Sequence, residues 1–98
     1  MNMTMSLVRN EIDLIDKELV LLLARRQKCI EKAALVKNDK NLIIDEERIE
    51  EVIRKVISFG KSYGLDKKIA EPLWRKLISL SINHEFEQLE LIQNSSRI

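Results

Sequence analysis

Apolar positions in the first 37 residues recur at steps of three and four, the spacing of one face of an α-helix. This apolar stripe consists of Val8, Ile12, Ile15, Leu19, Leu22, Ile30 and Ala33. Thr4 or Ser6 can cap its start, and the pattern stops near Lys37. A helix of about 33 residues is about 50 Å long, whereas a compact domain of this size has a radius of gyration of about 13 Å. We therefore expect the helix to extend beyond its own globule and to pack its stripe against a partner chain, as in a coiled coil or an intertwined dimer.

Two shorter segments with helical spacing follow the polar residues 38–41. Asp45 is a suitable N-cap for the second helix, and Gly64 is a suitable stop. Asp66 can cap the third helix, in which Pro72 removes one backbone hydrogen bond and can kink or restart the helix; the chain end from Asn94 onward is expected to fray. The apolar sides are formed by Ile49, Val52, Ile53, Val56, Ile57 and Gly60, and by Trp74, Leu77, Ile78, Ser81, Glu85 and Leu89. The sequence predicts an all-α fold, a three-helix protomer with a very long first helix in a homodimeric bundle.

Composition agrees with a helical fold and narrows the range of functions. Aromatic residues make up 4% of the chain, with two glycines and one proline, which favours helices over turn-rich β structure. The formal net charge is +1, and basic residues alternate with acidic ones, so we expect no nucleic-acid partner. No apolar run approaches the roughly 20 residues that span a bilayer, and the N-terminus lacks the pattern of a signal peptide. We expect a single domain, residues 1–98, without a membrane partner.

The cysteine and histidine content argues against a metal or redox site. Cys29 is the single cysteine and His84 the single histidine, so neither a CxxC motif nor a histidine pair is possible. A lone cysteine in a charged chain fits a reducing cytoplasm. His84 adjoins Glu85 but projects about 100° away from it, so we expect a packed or surface histidine. The sequence thus predicts a cytoplasmic protein without a metal site.

Two cations interrupt the apolar stripe of the first helix. Arg26 and Lys37 are eleven residues apart, which places them on one face, about 16 Å apart along the helix axis. Each side chain could bury its stem and keep its charge in water. However, two cations on the central stripe each need an anion, and no carboxylate of the same helix lies on the stripe between them. A ligand that carries carboxylates would supply those anions.

The apolar side of the third helix also contains polar residues, Ser81 and Glu85, one turn apart. One interpretation is structural: Glu85 pairs with Arg26 or Lys37, and Ser81 bonds back to its own helix. The other interpretation is that these residues belong to the same ligand site as the two cations.

Two further arginines have both a surface interpretation and a ligand interpretation. Arg48 lies one turn after Asp45 and could form a weak surface pair with Asp45 or Glu51. Arg9 is seventeen residues before Arg26, about 25 Å away along the same helix. It is either a solvated arginine or one that reaches a ligand at Arg26 from an antiparallel partner.

The residues with candidate chemistry form one ordered set over about residues 7–90. The set comprises Arg9 followed by I12-D13-x-x-D16, then L22-L23-A24-R25-R26, Lys37, D45-x-x-R48, G64-L65-D66 and S81-x-x-x-E85. This set resembles the all-helical chorismate mutases, a family that includes isochorismate pyruvate lyase. The resemblance implies a homodimer intertwined through the long first helices, a single chorismate mutase-like domain over residues 1–98, and no cofactor. It also implies two active sites, each using one arginine from the other subunit.

The resemblance assigns a role to each polar residue in binding a small dicarboxylate substrate. The implied substrate-binding residues are Arg9, Arg26, Lys37, Asp45, Arg48, Ser81 and Glu85, of which Arg26, Lys37 and Glu85 are the catalytic ones. Arg26 and the partner's Arg9 would hold the two carboxylates of chorismate, and Arg48 would help fix the enolpyruvyl portion. Lys37 would bond both a carboxylate and the ether oxygen, and Ser81 would line the pocket.

Two positions depart from the common pattern of the family. The family often has a glutamine at Glu85 that donates to the ether oxygen; a carboxyl group donates only when protonated, so we expect activity to fall as the pH rises and Glu85 ionises. Mutases commonly hold the ring hydroxyl with a glutamate at the position of Ile49, whereas the lyases tend to have an apolar residue there. Asp45, which mutases retain near the same hydroxyl, favours the mutase.

We expect a chorismate mutase, with isochorismate pyruvate lyase as the alternative. A third interpretation is a non-catalytic dimeric helical interaction module whose cations form inter-chain salt bridges.

Overall fold

Three α-helices make up the described part of the chain. The structure is a computed structural model, and it describes residues 3–95. Helix α1 spans Met5–Lys37, α2 spans Glu46–Tyr63 and α3 spans Lys67–Ser95, with a short 3-10 turn at Lys40–Leu42 between the first two. No strand occurs within residues 3–95. The predicted all-α protomer with a very long first helix is confirmed.

Capping residues set the helix ends where the sequence predicts them. The Thr4 hydroxyl accepts a hydrogen bond from the Leu7 backbone N–H at 3.3 Å, so Thr4 rather than Ser6 is the N-cap of α1. The Asp45 carboxylate caps α2 in the same way. Gly64 ends α2 with φ of 82°, a left-handed conformation that glycine adopts without a steric penalty.

Helix α3 begins as predicted but differs from the prediction at Pro72 and at its C-terminal end. Asp66 accepts the Lys68 backbone N–H at 2.8 Å, as expected of a cap. Pro72 neither breaks nor restarts the helix, because the carbonyl deprived of its partner belongs to the exposed Lys68 near the helix start, where water can bond to it. The prediction of a frayed end from Asn94 is wrong for residues 94 and 95, which are helical; residues 96–98 lie outside the described part.

Helix α3 packs against both other helices and contributes three of the six buried apolar residues in the described part of the chain. One core cluster joins the C-terminal end of α1 to the far end of α3; it contains Ala34, Ile43 and Leu89, with Ile82, Phe86 and Ile92 packed against it. Between α2 and α3, Ile53 and Ala70 are buried. A Cβ on Gly60 would lie 2.9 Å from the Leu65 carbonyl oxygen, so glycine permits the close approach of α2 to the following turn.

Within residues 3–95, the N-terminal half of α1 is largely exposed. Its stripe residues Ile12, Ile15, Leu19 and Leu22 are between 48% and 52% exposed. The radius of gyration is 17.5 Å, against about 13 Å for a compact chain of this length. The accessible surface is 8296 Å², whereas a compact monomer of 11.5 kDa exposes about 5,800 Å². The excess is about 2,500 Å², on the order of what obligate dimers bury. The predicted homodimer stays a prediction, and this surface is the one it would cover.

Within residues 3–95, no helix is both long enough and apolar enough to cross a bilayer.

Candidate active site

A cleft of about 340 Å³ lies where the C-terminal half of α1, the start of α2 and the middle of α3 meet. Its polar lining consists of Arg26, Lys37, Asp45, Arg48, Ser81 and Glu85. Aliphatic side chains, among them Ile30, Ile49 and Ile78, line the rest. A few polar groups in an apolar cavity of this size are typical of small-molecule sites. The structure thus brings six of the seven predicted substrate-binding residues to one cavity and leaves Arg9 outside it.

Lys37 and Glu85 form an ion contact across the cleft, between α1 and α3. Lys37 Nζ lies 2.8 Å from Glu85 Oε1 and also donates a hydrogen bond to the Ile43 carbonyl at 3.3 Å. Glu85 is only 4% exposed, yet its Oε1 accepts no well-aligned hydrogen bond from the described residues. The contact is therefore Coulombic rather than a directed hydrogen bond, because the distance is short but the angles are poor. Glu85 keeps hydrogen-bonding capacity that a ligand in the cleft could use.

Arg26 is held against α3 by a short hydrogen bond. Its Nη1 donates to Ser81 Oγ at 2.6 Å, and the Ser81 hydroxyl donates in turn to the Leu77 carbonyl at 2.8 Å. Burial lowers the pKa of the Arg26 guanidinium from its ordinary value, an effect that Cys29 partly offsets. An arginine nevertheless stays protonated, so a positive charge with unused N–H donors borders the cleft.

The two polar residues contributed by α2 lie at its first turn. Asp45 Oδ1 accepts the Arg48 backbone N–H at 3.0 Å, which fixes the carboxylate at the cleft edge. The Arg48 guanidinium pairs with Glu51 at 2.9 Å rather than with Asp45. Glu51 also binds Lys55 at 2.8 Å; the hydrogen bond from Lys55 and then the charges of Lys55 and Arg48 lower the pKa of Glu51. Both groups of the Arg48 pair are exposed, so the pair is weak and can open for a ligand.

Arg9 lies on the exposed half of α1 and lines no part of this cleft. Along the helix axis it is about 25 Å from Arg26, farther than a small ligand extends. Within one chain Arg9 therefore cannot contact a ligand at Arg26, and its predicted role as an arginine from the partner subunit stays a prediction. It requires a partner chain.

Sequence reasoning missed one polar contact beside the cleft, between Glu31 of α1 and His84 of α3. His84 Nε2 lies 2.8 Å from Glu31 Oε2, and Gln27 Nε2 donates to the same oxygen at 3.3 Å. The hydrogen bond from His84 and then that from Gln27 lower the pKa of Glu31. The available signal was register: Glu31 follows Arg26 along α1 as His84 follows Ser81 along α3. This register predicts the contact between Glu31 and His84 only when Arg26 is already known to contact Ser81.

Comparison with known proteins identifies the family. A family model described as chorismate mutase type II matches residues 8–86. The chain therefore belongs to the chorismate mutase type II family. It is 32% identical to the bifunctional chorismate mutase/prephenate dehydratase of Buchnera aphidicola subsp. Acyrthosiphon pisum (strain APS), over 99% of this chain and 26% of that protein. The chain thus spans about a quarter of the length of this relative. No solved structure gives a significant match.

Proposed function

We propose that the chain is a chorismate mutase, which rearranges chorismate to prephenate. The observation that carries this proposal is the cleft itself. In a member of this family, it gathers Arg26, Lys37 and Arg48 around an aliphatic cavity beside the buried Glu85. Chorismate is a dianion, and its conversion to prephenate is a concerted pericyclic step that requires no nucleophile. A protein that binds the dianion in a reactive conformation and stabilises the charge of the transition state supplies what the reaction needs.

Substrate binding is assigned to the guanidinium groups and the aliphatic walls. Arg26 uses one nitrogen for Ser81 and keeps other N–H donors for a carboxylate. Arg48 exchanges its exposed pair with Glu51 for the enolpyruvyl portion of the substrate. The aliphatic walls, including Ile30 and Ile78, and the cations that face them would favour a compact, chair-like conformer of the substrate.

Catalysis is assigned to Lys37 and Glu85. Negative charge grows on the ether oxygen as its bond to the ring breaks, and a lysine ammonium suits a point of developing charge. The side chains of Lys37 and Glu85 meet at 2.8 Å beside the cleft, so both could contact one substrate oxygen once Lys37 turns away from Glu85. Glu85 can donate to that oxygen only when it is protonated.

The proposal includes a homodimer in which the partner's Arg9 completes each cleft. Its support is the exposed apolar stripe on the N-terminal half of α1 and the excess accessible surface of the single chain. An antiparallel partner helix along this stripe would bring its Arg9 level with Arg26. The second carboxylate of the dianion would then have a guanidinium of its own.

One observation favours the alternative activity, isochorismate pyruvate lyase. Ile49 lines the cleft and offers no hydrogen bond to a ring hydroxyl. Asp45 lines the same cleft and has one oxygen that is not engaged in capping α2. The mutase assignment therefore relies on Asp45 for the hydroxyl, and the lyase assignment relies on the apolar Ile49.

The test is to give the purified chain chorismate and isochorismate separately, following prephenate and salicylate. Arg26→Ala removes a binding cation, and Arg25→Ala is the matched control, because Arg25 neighbours it on α1 but does not line the cleft. We expect chorismate turnover that is lost in Arg26→Ala and kept in Arg25→Ala. Salicylate and pyruvate formed at the higher efficiency would establish the lyase instead. A folded dimer inert to both compounds would leave the non-catalytic interaction module.

A further inference from the structure

Three polar bridges join α1 to α3 within residues 3–95. They are Arg26 to Ser81 at 2.6 Å, Lys37 to Glu85 at 2.8 Å and Glu31 to His84 at 2.8 Å. The first two are formed by residues that line the cleft, and the third is not. The bridges therefore differ in what happens to them when a ligand binds.

A dianion in the cleft competes for the two cationic bridges. A substrate carboxylate is a stronger acceptor for Arg26 than a serine hydroxyl, because its charge assists the hydrogen bond. Lys37 must likewise turn from Glu85 toward the substrate if it is to stabilise the ether oxygen. Substrate binding thus weakens two bridges between α1 and α3 at the moment when their relative position matters most.

The contact between Glu31 and His84 is free of this competition. Both side chains are part-buried, at 29% and 27% exposure, so water screens their contact less than it would on an open surface. Gln27 donates to the same carboxylate oxygen and restricts its orientation. Lys28 is a further charge close to Glu31 and supports its ionised form.

The location of this contact ties it to catalysis. Glu31 lies between Arg26 and Lys37 on α1, and His84 lies between Ser81 and Glu85 on α3. A slip of α3 along α1 at this point would move Glu85 away from the reacting oxygen. A misplacement of about 1 Å can cost about 100-fold in rate.

We infer that Glu31 and His84 are a positioning pair, which keeps α1 and α3 in register while the substrate engages Arg26 and Lys37. The inference rests on the proposed function. His84 touches no substrate in this role and acts through its covalent neighbour Glu85. The packing of Ala34 against Leu89 supports the same register but cannot fix the rotation of a side chain one turn away.

The experiment compares His84→Leu, which removes the contact, with His84→Gln, which keeps an N–H donor. We expect kcat for chorismate to fall about tenfold in His84→Leu, with KM within about twofold, because Glu85 acts in the transition state while Arg26 and Arg48 still bind the substrate. We expect His84→Gln to retain kcat within about twofold of the wild-type chain. Glu31→Ala removes the same contact from α1 and should reproduce the loss.

The matched control is Arg75→Leu. Arg75 bridges α3 to α2 through Glu50, at 3.0 and 3.2 Å, away from the cleft. We expect this variant to leave kcat and KM unchanged, which separates a general loss of helix contacts from a loss of register. Circular dichroism would verify that each variant is folded.

The outcomes distinguish the positioning pair from the proposed function. A folded wild-type chain that turns over no chorismate overturns the proposed function and the positioning pair with it. An active chain whose His84→Leu and Glu31→Ala variants are folded and keep their kcat overturns the positioning pair alone. A His84→Gln variant as slow as His84→Leu would also overturn it.

Discussion

The two halves of α1 share one hydrophobic stripe but differ in what covers it. Over residues 26–37, the stripe faces α3 and the cleft, and Ala34 beside it is fully buried. Over residues 8–22, the same pattern faces outward, and its aliphatic side chains are mostly about half exposed. The periodicity of a helix therefore identifies the face that will be buried, but not the chain that buries it.

In the proposed dimer, the exposed N-terminal half of α1 forms the interface with the partner chain. If an antiparallel partner places its Arg9 level with Arg26, the twofold axis crosses α1 near residues 17 and 18, because paired positions then sum to 35. That point is also the centre of the stripe segment from Val8 to Arg26. One half of α1 would form a wall of its own cleft, and the other half would close the cleft of the partner.

The largest expected effect comes from disrupting the proposed dimer interface on the exposed half of α1, near this axis. Leu19→Lys places two lysines close to each other in the dimer and removes two leucines from its interface. Each buried leucine contributes about 1.5–3 kcal/mol, so we expect the dimer dissociation constant to rise by at least about 100-fold. Sedimentation equilibrium would measure it, and chorismate turnover should be lost together with the dimer.

The control for this variant is Leu35→Lys, on the same helix. Leu35 is 60% exposed, comparable to Leu19 at 48%, but it lies about 180° from the centre of the stripe. We expect it to leave the dimer and the activity intact. Equal loss of the dimer in both variants would contradict an interface along the stripe.

The second effect concerns the two arginines that belong to different halves of α1. Arg9→Ala and Arg26→Ala should each lower kcat/KM by about 100- to 1,000-fold, since each leaves a substrate carboxylate without its cation. Refolded together in equal amounts, the two inactive chains should regain about a quarter of wild-type activity. Half of the dimers are then mixed, and each mixed dimer has one site with both arginines.

The mixing experiment tests whether the cleft is shared between chains. If both arginines served a site within one chain, no mixture of the two variants would be active. Arg25→Ala mixed with Arg26→Ala should show about half of wild-type activity. The Arg25→Ala homodimers supply one half of that activity, and the intact sites in mixed dimers supply the other half. That result would exclude an effect of refolding alone.

The helix ends were predictable because they depend on local chemistry. Thr4, Asp45 and Gly64 act through bonds within a few residues of their own position, and the structure has them as predicted. Pro72 was harder to interpret, because its effect depends on whether water reaches the carbonyl that it leaves without a partner. The continuous α3 shows that it does not break the helix there.

The polar contacts between helices were predictable only as alternatives. The sequence offered Glu85 a choice of Arg26 or Lys37, and the structure pairs it with Lys37. The contact of Glu31 with His84 was missed, because the relative register of α1 and α3 is a property of neither helix alone. Spacing within a helix places residues on a common face, but tertiary packing decides which faces meet.

A third effect sharpens the role of the cleft. Glu85→Gln should give a flatter pH profile of activity than the wild-type chain, because an amide donates a hydrogen bond at every pH. Profiles of kcat/KM between about pH 5 and 9 would measure this. Glu87→Gln is the control, since Glu87 is exposed on the same helix and lies outside the cleft. An unchanged profile in Glu85→Gln would remove Glu85 from the ether-oxygen role.

The smallest expected effect is a loss of folding stability at acid pH, which arises from Glu31 in the cleft half of α1. The hydrogen bonds from His84 and Gln27 hold the pKa of Glu31 below its ordinary value of 4.5. A carboxyl group whose pKa is depressed by folding stabilises the folded chain above its unfolded pKa, and this contribution is lost as the pH falls through the folded pKa. The contribution of Glu31 should therefore be complete near neutral pH and disappear below about pH 4.5.

Thermal unfolding of Glu31→Gln at several pH values would measure this contribution. We expect Glu31→Gln to unfold a few degrees below the wild-type chain near pH 6, and the two melting temperatures to converge as the pH falls below 4.5 and Glu31 takes up a proton. Glu11→Gln is the control from the exposed half of α1, because the Glu11 carboxylate accepts no hydrogen bond within residues 3–95. A difference for Glu31→Gln that persists at pH 3 would mean that the amide disturbs packing, and that the charge of Glu31 contributes nothing to the contact with His84.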